Sequence, residues 1–151
     1  MARTIYLVLA ALFLAGLIIQ VFLAGLGVFD SPASFATHRD WGYTLVLFPV
    51  LLLVVALVGR LGRRLIVLPI VAFLGFILQS VLVALRDTNP ALAALHPVNG
   101  FLITLLAVVM VREAYVSRAA TRTPDAPAVT AGAMAPTVTP PSDGGPAAPA
   151  G

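Results

Sequence analysis

The stretch WGYTLVLFPVLLLVVALVG, residues 41–59, carries no Asp, Glu, Lys or Arg and is closed by Asp40 on one side and Arg60 on the other. Its 19 residues are close to the ~20 that an α-helix needs to cross ~30 Å of hydrocarbon. Three further uncharged runs flank it: Thr4–Phe29, Leu65–Leu85 and Ala91–Val111. Lipid offers the backbone no hydrogen-bond partner, so runs of this length are expected to be helices. The first run is longer than a 7–15-residue signal-peptide core and no cleavage site follows it promptly, so it is read as a retained span. The expected fold class is an all-α integral membrane four-helix bundle running up-down-up-down. The expected spans are about 4–29, 32–59, 64–86 and 90–117, within a domain of residues 1–118.

Composition agrees with this reading. Of 151 residues, 60% are hydrophobic and only 10% charged, far short of the quarter or so that a water-facing surface uses. The net charge of +3 rests on nine arginines and no lysine, too small an excess for a nucleic-acid binder. With no cysteine there is no disulfide, thiolate metal site or thiol nucleophile. The absence of Lys beside abundant Ala, Arg, Gly and Pro points to a GC-rich bacterial genome.

The arginines suggest an orientation. Four spans leave the N-terminus, the middle loop and the C-terminal tail on one side, with Arg3, Arg60, Arg63, Arg64, Arg112, Arg118 and Arg122. The other side holds Arg39 and Arg86. The positive-inside rule then predicts a multi-pass protein of the bacterial inner membrane with both termini in the cytoplasm. Residues 119–151 contain seven of the twelve prolines and no apolar periodicity, so a disordered Ala/Pro-rich cytoplasmic tail is expected there.

The two helical hairpins resemble each other. Gln20 is followed by Pro32-Ala33, Ala36, His38, Gly42 and Tyr43, and Gln79 by Pro90-Ala91, Ala94, His96, Gly100 and Phe101. An acid, Asp30 or Asp87, precedes each proline. The pattern suggests a duplicated hairpin whose pseudo-twofold axis lies along the membrane normal. Ser31 and Asn89 are cap candidates, with Pro32 and Pro90 opening helices two and four. Each histidine would then lie six residues inside its helix, ~9 Å along the axis and at one depth. Pro49, Pro69 and Pro97 are expected to kink their helices.

His38 and His96 are the only histidines, and ionisable groups within spans are costly and usually functional. In such a bundle, helices two and four sit on the diagonal, and cofactors are commonly held between facing helices. The leading expectation is axial ligation of one haem b by His38 and His96, for electron transfer. Gly42 and Gly100, one turn on, would give clearance to a porphyrin edge. Gln20 and Gln79 would bond the free imidazole nitrogens or the propionates, with Arg39 and Arg86 at the rim. Against this stands a plainer reading in which the histidines anchor helix starts in the headgroups, the glycines allow close helix contact and the glutamines bond across helices. On that alternative the chain is a non-enzymatic membrane subunit or scaffold packing against another membrane protein or a second copy of itself. A zinc or copper site would need Asp30, Asp40 or Asp87 to close it and is the weaker metal reading. No spacing points to a catalytic nucleophile, so no catalytic residue is assigned and the chain is not expected to be an enzyme by itself. Trp41 and Tyr43 fit an interfacial aromatic belt.

The strings QVFLAGLGVF, HRDWGYTLVLFPVLLLVVAL, ILQ and LHPVNGFLITLL, within about residues 3–115, resemble a domain-of-unknown-function family of small four-span, mostly actinobacterial membrane proteins. Its characteristic positions correspond to Gln20, His38, Gly42, Gln79, His96, Pro97, Asn99 and Gly100. The resemblance implies a fold and a membrane location but no reaction. A looser similarity links His38-Arg39 and His96 to four-helix haem b membrane proteins such as one half of haem A synthase. That likeness implies two axial ligands, while the synthase's catalytic acid has no counterpart here.

Overall fold

The structure is a computed structural model that describes residues 1–120. The expected tail lies outside the described residues from position 121 onward. Helix α1 covers Ala2–Phe29. A 3-10 turn at Pro32–Ser34 leads into α2, Phe35–Leu45, and α3, Leu47–Val58. The second half holds α4, Arg63–Ala84, the short α5, Pro90–Ala93, and α6, His96–Ala120. Four segments are long and apolar enough to cross a membrane: Ala2–Phe29, Pro32–Val58, Arg63–Ala84 and Pro90–Ala120. No strand occurs among the described residues. The described residues are thus all-helical, and the chain is a multi-pass membrane protein.

The starts of the second and fourth spans follow their caps. Ser31 Oγ accepts from the Ala33 amide at 3.2 Å, and Asn89 Oδ1 accepts from the Leu92 amide at 3.1 Å. Neither span then runs as one continuous helix from its proline. The second passes through the 3-10 turn and breaks at Val46, three residues before Pro49, whose ring cannot donate to the preceding turn. The fourth breaks between α5 and α6, so His96 is the first residue of α6 rather than six residues inside a helix. Pro97 therefore falls in a first helical turn, where its missing N–H has no intrahelical partner to lose, and it starts a helix instead of kinking one. Pro69 lies inside α4, which continues through it.

Packing is cyclic. Helix α1 lies against α2, α3 and α6, and α4 lies against α3 and α6. Neighbours in sequence are neighbours in space, and the fourth span closes against the first, which puts spans two and four on a diagonal. The buried residues that form the seam are Tyr6, Ala10, Phe13 and Leu17 in the first span, and Leu45, Pro49, Leu52 and Ala56 in the second. They are Leu65, Pro69, Ala72 and Phe76 in the third, and Ile103, Ala107, Met110 and Ala114 in the fourth. Every span repeats the spacing four-three-four, the heptad seam of a left-handed bundle. Phe13 is the hub, stacked on Phe48 at 5.8 Å and tilted against Phe76 at 6.1 Å between ring centroids.

Only 17–22% of the most apolar window of each span is buried inside the protein. Much of the remainder, including Phe22, Val54, Leu74 and Val108, is exposed and requires an apolar solvent. A lipid bilayer supplies one. The turn between α3 and α4 places Arg60 in the left-handed region at φ 48°. There the Leu61 amide reaches back to the Ala56 carbonyl at 2.9 Å, closing the helix C-terminus in the manner usually given to glycine.

The Tyr6 hydroxyl lies in this seam with no hydrogen-bond partner. A buried polar group without a partner costs about 1–3 kcal/mol. Tyr6→Phe is therefore expected to hold or raise the thermal unfolding midpoint in detergent, whereas Phe13→Ala, which empties the hub, should lower stability by about 3–5 kcal/mol. A clear loss of stability in Tyr6→Phe would show that the hydroxyl has a partner after all.

Candidate functional site

Continuing the four-three spacing one layer beyond the apolar seam leads to Gln20 on α1, His38 and Gly42 on α2, Gln79 on α4, and His96 and Gly100 on α6. The interior of the bundle is therefore apolar for most of its length and polar in its last layer. Gln20, Gln79 and both histidines are half-buried there.

Each histidine is held by the glutamine of its own hairpin. His38 Nδ1 lies 3.0 Å from the main-chain oxygen of Gln20, and His96 Nδ1 lies 3.4 Å from that of Gln79. A carbonyl can only accept, so Nδ1 carries a hydrogen in both rings. The glutamine amide then returns to the histidine. Gln20 Nε2 donates to the His38 carbonyl at 2.9 Å and stands 3.2 Å from His38 Nε2. Gln79 Nε2 donates to the His96 carbonyl at 3.0 Å and stands 3.3 Å from His96 Nε2.

The match between hairpins extends to their supports. Three residues after each histidine, a side-chain N–H crosses to the glycine one turn before the glutamine. Trp41 Nε1 donates to the Gly16 carbonyl at 2.9 Å, and Asn99 Nδ2 donates to the Gly75 carbonyl at 2.9 Å. Seven residues after each histidine, an aliphatic side chain covers the same glycine. A Cβ on Gly16 would stand 2.5 Å from Leu45 Cδ2, and one on Gly75 would stand 2.9 Å from Ile103 Cγ1. The two sets of contacts differ at the glutamine oxygen. Asn99 also donates to Gln79 Oε1, while Gln20 Oε1 is buried with no partner, because Trp41 has one N–H and has used it.

The structure also brings the two halves together. The rings of His38 and His96 lie 6.3 Å apart between centroids with their planes at 62°. Two imidazoles bound through nitrogen on opposite sides of one metal ion would have centroids roughly 6 Å apart, given metal–nitrogen bonds of ~2.0–2.1 Å. Each Nε2, however, stands against the amide of its own glutamine. To free each Nε2, the glutamine amide must swing away from it.

The space above Gly42 and Gly100 is occupied by the glutamine amides. A Cβ at Gly42 would meet Gln20 Nε2 at 2.9 Å, and one at Gly100 would meet Gln79 Nε2 at 3.2 Å. Arg39 and Arg86 pair with their sequence neighbours Asp40 and Asp87 at 3.0 and 3.4 Å, and Asp30 accepts from the Ser34 hydroxyl at 3.2 Å. No group of three or more His, Cys, Asp or Glu residues gathers among the described residues, so the acids do not complete a zinc or copper site. Trp41 is half-buried on Gly16, whereas Tyr43 is exposed as an interfacial tyrosine would be. The supporting pairs Gly16–Trp41 and Gly75–Asn99 were not apparent from the sequence as pairs. Tryptophan and asparagine share only an N–H donor, though a common offset of three from each histidine was there to be read.

A family described as a family of unknown function (DUF6220) matches residues 20–85, from Gln20 through His38 to just beyond Gln79. The chain is similar to that family over this stretch, which is less than half of its length. No curated protein and no solved structure matches the chain.

The fit of Gln20 over Gly42 yields a test. Gly42→Ala should displace the amide and destabilise the protein by about 1–2 kcal/mol. Gly25→Ala, where a Cβ would meet nothing within 4 Å, should change stability by no more than about 0.5 kcal/mol. Combining Gly42→Ala with Gln20→Ala should be less costly than the sum of the two. Strict additivity in that double-mutant cycle would argue against the contact.

Proposed function

We propose that His38 and His96 are the two axial ligands of one b-type haem and that the protein transfers electrons within the membrane. The observation that carries this reading is the approach of the two imidazoles to 6.3 Å, each with Nδ1 donating to a main-chain oxygen. The main-chain carbonyls of Gln20 and Gln79 would orient the ligands and raise their basicity. The amides of Gln20 and Gln79 would give up Nε2 while keeping their bonds to the His38 and His96 carbonyls. Gly42 and Gly100 would give those amides room to move. Haem supplies one-electron chemistry, and a histidine on each face favours electron transfer over reactions that need an open iron position. The matching contacts of the two hairpins support reading them as a duplication.

The competing reading is a non-enzymatic subunit or scaffold in which the same Gln–His contacts only clamp each hairpin. It is favoured by the fact that every ring nitrogen already has a neighbour in its own hairpin. Absorption spectra of the detergent-purified protein separate the two. A Soret band that sharpens on reduction, and that His38→Ala and His96→Ala each abolish or shift, is the expected outcome. A preparation that stays colourless after haemin addition leaves the clamp as the whole role of the polar layer.

The excess of arginine at the opposite end supports an inner-membrane orientation with both termini cytoplasmic. The cysteine-free sequence makes this simple to check. A membrane-impermeant maleimide added to intact cells should label Thr88→Cys, on the histidine side, and spare Gly62→Cys on the other. The reverse pattern would invert the topology.

A further inference from the structure

The two hairpins match within the polar layer but not above it. In the first, the chain approaches His38 through the 3-10 turn Pro32–Ser34, which packs on α1 and α2. Phe35 fastens that approach. A Cβ on Gly27 of α1 would stand 2.7 Å from the Phe35 ring, so the ring rests on bare helix backbone. Its edge meets the His38 ring at 6.2 Å between centroids, with the planes at 88°. In the second hairpin both halves of this fastening are missing. Three residues before the histidine stands Ala93 instead of Phe35, and seven residues after the glutamine stands Arg86 instead of Gly27. Helix α1 runs nine residues past Gln20, whereas α4 stops five past Gln79. The chain then returns through residues 86–92, all exposed, and through α5, which has no buried residue and packs mainly on α4. The bond from the Leu92 amide to Asn89 Oδ1 holds its start. Its end is cut from α6 by Pro97, which has no N–H to offer the Ala93 carbonyl four residues back. At the matching place in the first hairpin Arg39 keeps its N–H, and α2 runs unbroken from Phe35 through His38.

We propose that α5 is a movable cover over the polar layer and that a ligand of that layer reaches it past His96, with the first hairpin as the fixed wall. This rests on the reading that the polar layer takes a ligand. Segments with few buried apolar contacts open locally at little cost, and the parts of a protein that admit ligands are drawn from them. Opening here breaks one cap bond and moves no buried side chain of α5. Leu92 and Leu95 are already 45% and 47% exposed, so little apolar surface changes its surroundings. The hinge is the break at Ala94 and Leu95, which Pro97 keeps from closing into one continuous helix. The same movement in the first hairpin would lift Phe35 off Gly27 and off the edge of His38.

Carbethoxylation of the two histidines by diethyl pyrocarbonate, followed by mass spectrometry of the full chain in detergent, tests this at a pH above the imidazole titration range. His96 is expected to react several-fold faster than His38. Ala93→Phe, which supplies the missing ring, should slow His96 several-fold, and Asn89→Ala, which removes the cap of α5, should speed it. Neither should move His38. Phe35→Ala should raise His38 toward the rate of His96. Asn89→Ala alters an exposed residue and remains informative if Ala93→Phe does not fold. Equal rates at the two histidines of the unaltered chain, or a His96 rate untouched by both Ala93→Phe and Asn89→Ala, overturns the proposal. The measurement needs no haem. A protein that stays colourless after haemin addition but opens at His96 keeps the cover and loses the haem reading. One that binds haem and shows equal rates keeps the haem reading and loses the cover.

Discussion

Inside hydrocarbon no water is at hand to satisfy a polar atom, so any polar layer has to bond itself. That constraint governs this bundle. Four seams of buried residues at four-three-four spacing hold the spans together through most of their length, and they can do so because almost nothing in them needs a hydrogen bond. At the next layer the seam positions turn polar. The chain meets the cost by giving each histidine a glutamine from the preceding span, and each glutamine a glycine over which to lie. Without the glycines the amides would not fit, and without the amides two ring nitrogens would lose their neighbours.

The same constraint makes the one unmatched atom informative. Asn99 completes the bonding of Gln79, while Trp41 leaves Gln20 Oε1 buried and open. The two hairpins are alike in geometry but differ in how firmly each glutamine is held. Gln79 is fixed at both ends of its amide and Gln20 at one.

Much of this was legible in the chain. The four charge-free runs predicted the spans, Ser31 and Asn89 the caps, and the recurrence of Gln, His and Gly the residues that meet. The prolines were harder to read. A proline in a helical run signals a disturbance without saying where the helix will yield. Pro49 is accompanied by a break at Val46, Pro97 follows a break already made, and Pro69 lies within a continuous helix. At Gly42 and Gly100 the spacing shows a position without a side chain but not which neighbour folds back over it.

The sequence by itself determined that the chain has four spans long and apolar enough to cross a membrane and that the Gln and His residues within them collect near one end, because length and charge depletion act locally along the chain. Tertiary structure decided which face of each span is buried. With apolar residues on every side of a helix, no amphipathic stripe separates the core from the lipid, and only the packing of four helices at once selects the seam. It also decided the 6.3 Å approach of His38 and His96. The two residues are on diagonal spans, 58 positions apart, and their separation depends on how every helix between them packs.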